Sequence, residues 1–164
     1  IGRTRKKGWS EGAISLLGFV QLSPEDLNLR LTESGIDFAL AKNPVFDEDI
    51  GTKAKDPLSE EEIRIYLKNV REFSVAERYS LTTVASLVAD GNDTPASLNQ
   101  ALSRVSPHWT EKEIITYRAG AVARLCDLKI LGKKKGAKDL EDHRNVRYTI
   151  DREKASFLGQ EIHA

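Results

Sequence analysis

A chain of 164 residues, 40% hydrophobic and 30% charged, is long enough to bury the core of one large domain or of two small ones. Its 25 lysines and arginines are balanced by 25 aspartates and glutamates, so a nucleic-acid partner has to be sought in local patches rather than in overall charge. No apolar run nears the roughly 18 residues of a membrane span, nothing resembles a signal peptide, and the single cysteine, Cys126, excludes an intrachain disulfide, which together point to a soluble cytoplasmic protein with no membrane partner.

The chain begins with a basic stretch, Arg3, Arg5, Lys6 and Lys7, which is either a solvated end or an arm reaching a phosphate backbone. Ser10 is placed to cap a short helix through Leu17, with Ala13, Ile14 and Leu17 on its apolar side. Phe19 to Leu22 then reads as a strand, Ser23-Pro24-Glu25-Asp26 as a turn, and Leu27 to Thr32 as the returning strand. Thr32 or Glu33 starts a helix carrying Ile36, Phe38, Ala39 and Leu40, which stops before Asn43-Pro44.

Residues 45–58 are acidic and polar and read as a linker. Ser59 and Glu62 have capping-box spacing at the head of a helix that carries Ile63, Tyr66, Leu67 and Val70. Ser74 opens the next helix, with Val75, Tyr79, Thr82 or Thr83, Leu87 and Val88 toward a core, and Gly91-Asn92-Asp93 ends it. Thr94-Pro95 starts a helix burying Leu98, Ala101, Leu102 and Val105. Thr110 and Glu113 repeat the capping box before a stripe of Ile114, Tyr117, Ala121, Leu125 and Leu128. Leu128 to Leu131 reads as a strand, Gly132 to Lys138 as an exposed flexible turn, and Asn145 to Ile150 as the returning strand; a last helix starts near Arg152.

The order helix, strand, turn, strand, helix occurs twice, and residues repeat with it. Gly12 to Leu17 parallels Gly120 to Leu125, and Leu29-Arg30-Leu31-Thr32 parallels Val146-Arg147-Tyr148-Thr149. Duplication is the preferred reading: residues 1–44 form the later part of a first copy and residues 59–164 a second copy with an extra leading helix. With no methionine and Ile1 as its first residue, the chain is expected to be a fragment, cut within the first copy.

The Thr94-Pro95 helix start, the Gly120 to Leu125 segment and the hairpin ending Val146-Arg147-Tyr148-Thr149 resemble the winged helix-turn-helix superfamily, and in particular tandem winged-helix regulators of archaeal or bacterial type. The resemblance spans Ser74–Leu158 in full and Trp9–Lys42 in part. It implies a mainly α fold with small β-hairpin wings, a tandem winged helix whose first copy is incomplete. It also implies double-stranded DNA as partner, with the third helix in the major groove and the wing on the backbone. The third helix here is longer than a usual recognition helix.

The face of that helix opposite Ala121–Leu125 holds Lys112, Thr116, Ala119, Ala123 and Asp127, with Arg118 and Arg124 between it and the core stripe. Arginine reads guanine edges, and Lys112 and Thr116 suit phosphate or base edges; equally, Ala119 and Ala123 are good helix formers and the arginines can be solvated. Lys133, Lys134, Lys135 and Lys138, extended by Arg144 and Arg147, suit phosphate neutralisation, although Asp139, Glu141 and Asp142 share the loop and a lysine-rich tip also serves solubility. The first wing, Leu22 to Asp26, is short and acidic. The first copy is therefore expected to pack, to pair with a second copy or another protein, or to touch DNA through Arg3, Arg5, Lys6 and Lys7 alone.

His108, His143 and His163 are scattered, Cys126 has no neighbouring cysteine, and no phosphate loop or zinc spacing occurs, so no catalytic residues, metal or cofactor are expected. The resulting expectation is a DNA-binding, nucleoid-associated transcription regulator, or the DNA-targeting part of a larger protein. The alternatives are a winged-helix assembly scaffold and a non-catalytic accessory domain of a nucleic-acid enzyme.

Overall fold

The computed structural model describes residues 3–4, 10–11, 13–23, 25–26, 28–47, 56–135 and 146–158. It is mainly helical with small antiparallel hairpins, and it divides into two compact units, Ile1–Arg78 and Tyr79–Ala164. No helix among the described residues is long and apolar enough to cross a membrane.

The first unit starts with β1 (Arg3–Thr4) paired to β2 (Ser10–Glu11). Ser10 is thus a strand residue and not the helix cap expected of it, and α1 is confined to Ala13–Leu16. Next come β3 (Val20–Leu22) and β4 (Leu29–Leu31), paired antiparallel with Val20 opposite Leu31 and Leu22 opposite Leu29. Thr32 caps α2 (Glu33–Leu40) by accepting from the Gly35 amide. A Cβ at Gly35 would overlap the carbonyl oxygen of Phe19, so only glycine lets this helix sit so close to the hairpin. The core here is Leu17, Phe19 and Ala41, with the Phe38 ring 4.7 Å from Phe19.

Helix α3 (Glu60–Phe73) is opened by the expected Ser59–Glu62 capping box. The buried Glu62 carboxylate also accepts from the Asn43 amide at 2.8 Å, and that amide donates to the Pro57 carbonyl. These bonds tie the two ends of the stretch read as a linker, and α3 groups with the first unit. The division falls inside α4 (Val75–Ala89), not at residues 45–58.

The second unit continues with α5 (Pro95–Val105), α6 (Glu111–Asp127), β5 (Leu131–Lys135), β6 (Val146–Ile150) and α7 (Arg152–Ser156). Its fully buried side chains include Leu81 and Val84 from α4, Leu98 from α5, Leu125 from α6, Ile130 and Ala155. The buried face of α4 is Leu81, Val84, Ala85 and Val88; Val75 and Tyr79, expected inside, are exposed. The helix carries apolar residues on both sides, so its sequence allows more than one stripe.

Leu128 to Ile130 does not form the expected strand. Lys129 takes φ +56°, and the amides of Lys129 and Ile130 donate to the carbonyls of Cys126 and Leu125. This is a Schellman turn, which uses up the groups a strand would need and delays β5 to Leu131. Lys133, Lys134 and Lys135 accordingly lie in a strand, not in a flexible turn.

The same turn ends α1. Gly18 takes φ +71°, and the amides of Gly18 and Phe19 donate to Ser15 and Ile14. The closing bonds also correspond: Thr32 N–H donates to the Phe19 carbonyl and Asp151 N–H to that of Ile130, after which Thr32 and Asp151 each cap the following helix. The two units therefore repeat one hydrogen-bonded frame. Its register differs from the one read in the residues, for Leu17 matches Leu128 rather than Leu125, and Leu31 matches Ile150 rather than Tyr148. Small and apolar residues recur so often in both segments that composition alone aligns them in more than one way.

Candidate nucleic-acid interface

The surface built from α6 and the β5–β6 hairpin starts at Thr110. Its hydroxyl accepts from the Glu113 amide, while the Glu113 carboxylate accepts from the Thr110 amide and hydroxyl, both at 2.8 Å. Those donors hold the Glu113 carboxyl below its ordinary range. Ile114, Ala121, Val122 and Leu125 face the core, which leaves Lys112, Thr116, Ala119, Ala123 and Asp127 exposed along one stripe. The Thr116 hydroxyl donates to its own helix at the Lys112 carbonyl, 2.8 Å away, so its free lone pairs suit it to accept from a partner.

The two arginines of this helix lie differently. Arg118 is half-buried, with its Nε enclosed and making no hydrogen bond to any described residue, and its charge pulls against the burial that pushes the Tyr148 phenol up. Arg124 is half-buried and lies back along α6, its Nη1 3.4 Å from where a Gly120 Cβ would stand. A shallow depression of about 520 Å³ lies over the first turns of α6, lined by Trp109, Lys112, Glu113, Thr116 and Tyr117. The Trp109 and Tyr117 rings meet edge to face at 4.7 Å and form its apolar wall.

Strand alternation separates the hairpin's cations. Lys134 sits directly opposite Arg147 on one face, whereas Lys133 sits opposite the buried Tyr148 on the other. Lys133 and Lys134 are both exposed. Arg147 is held by Asp93 through a 2.8 Å ion pair, and the Tyr148 amide donates to the Asp93 carbonyl at 2.6 Å. The segment after α4 thus fastens the outer edge of β6, and Asp93 is the residue of this surface that sequence reasoning missed. Its place as the last residue of a turn signal gave no hint of a partner in β6.

Of the other residues expected to bind, the backbones of Arg3 and Lys135 lie in β1 and β5, while Arg5, Lys6, Lys7, Lys138 and Arg144 fall outside the described residues. Cys126, half-buried near the base of the hairpin, has its thiol pushed up by burial. Among the described residues no cluster of histidine, cysteine, aspartate or glutamate has the make-up of a metal site.

The chain matches no protein-family model, no curated protein sequence and no solved structure.

Proposed function

We propose that the second unit is a winged-helix module that binds double-stranded DNA, with α6 in the major groove and the β5–β6 hairpin on the phosphate backbone. It would serve a transcription regulator or the DNA-targeting part of a larger protein. One observation carries the reading: an α6 stripe of Lys112, Thr116, Ala119 and Ala123 is left bare beside a hairpin that exposes Lys133 and Lys134. Small side chains let a helix backbone approach base edges, and lysines neutralise phosphate without reading sequence.

Anisotropy titration of a random duplex at low and at moderate salt tests it. Changing Lys133, Lys134 and Lys135 together to Gln should weaken binding at least about tenfold, since phosphate contacts carry most of the non-specific affinity. Unchanged affinity in that variant removes the hairpin from the interface. A second reading, a protein-assembly scaffold, is favoured by the zero net charge and by exposed Leu29, Leu31 and Leu40 in the first unit. Absence of binding to duplex at low salt decides for it.

A further inference from the structure

The two units share a hydrogen-bonded frame but not its cover. In the second unit Leu125, Tyr148, Ala155 and Leu158 are buried on one side of the frame. Their counterparts in the first unit are Ile14, Leu29, Ile36 and Ala39, and every one of these is exposed. Leu31 lies on the same side of the hairpin as Leu29, two residues along β4, and is half-exposed. Leu40, one turn beyond Ile36 on α2, is 80% exposed. The charged residue of β4, Arg30, points to the opposite face, where Asp26 holds it at 2.9 Å. The strands therefore add no charged side chain to this face.

We propose that this face, formed by the end of α1, the β3–β4 hairpin and α2, is a self-association surface on which a second copy of the chain docks about a twofold axis. Ile14, Leu29, Leu31, Ile36 and Leu40 together expose on the order of 500 Å² of apolar surface, the upper range of patches that monomers leave bare and more than half of the ~800 Å² each partner gives to a stable interface. Charge complementarity favours a second copy. Exposed Glu33 lies at the start of α2 and exposed Lys42 just past its end, so two antiparallel α2 helices set Glu33 of each copy beside Lys42 of the other. This pairing is independent of DNA binding by the second unit.

Sedimentation velocity of the full chain from about 1 to about 100 µM tests it, because a twofold pairing makes the mass concentration-dependent. The expected result is a rise from 18.3 kDa toward twice that value. Leu31→Glu and Leu40→Glu alter side chains that are exposed in the single chain, so each should leave the circular dichroism spectrum unchanged and raise the dimer Kd at least about tenfold. Leu16 matches the exposed Asp127 and lies off the face, so Leu16→Glu should leave the Kd unaltered. A chain that stays monomeric throughout, or a dimer that tolerates both face variants or that Leu16→Glu breaks equally, overturns the proposal.

Discussion

Single residues set the closest contacts. Gly35 stands where any Cβ would strike the Phe19 carbonyl, and backbone gives way less easily than a side-chain tip. Gly35→Ala should therefore cost about 3 kcal/mol in urea unfolding, the upper part of the range for overpacking. A loss below about 0.5 kcal/mol, the usual scatter for surface changes, would show that the helix can shift to make room. Nothing in the residues announces this requirement, because a glycine near a helix start reads as neutral. Lys129 was equally hidden: it does the work of Gly18 in the matching turn, and a lysine carries no signal for a positive φ.

Elements were legible where their signals are local. The Ser59–Glu62 and Thr110–Glu113 spacings located the starts of α3 and α6, since a capping box is closed by residues three apart. What depends on distant partners was not legible. The start of β5 is set by amides bonded back to α6, the buried side of α4 by what packs on it, and Arg147 by Asp93 across the hairpin edge. The candidate interface was accordingly visible as a set of residues but not as a layout, with Lys133 and Lys134 turning out to face opposite ways. Asp93→Asn probes that layout. It removes an exposed ion pair, so stability should fall by less than about 1 kcal/mol. Duplex affinity should rise, because Arg147 is released and a negative charge is lost beside the hairpin; unchanged affinity would place Arg147 away from phosphate.

At the scale of the whole molecule, 25 positive charges cancel 25 negative ones, so no general field draws the chain to DNA. If binding rests on Lys112 and the hairpin lysines, some three or four phosphates are neutralised, and log K should fall against log salt with a slope of about −3. A slope near −10, as many-contact binders give, would require cations well beyond this surface.

The repeated frame also separates what must be kept from what can vary. Both hairpins are locked at their open ends, by the helix-ending turn below and the capped helix that follows, while the connections between their strands differ in length and charge. Insertions, deletions and recharging between the strands are thus decoupled from the foundation, and each unit is free to vary that stretch of sequence without renegotiating the architecture that carries it.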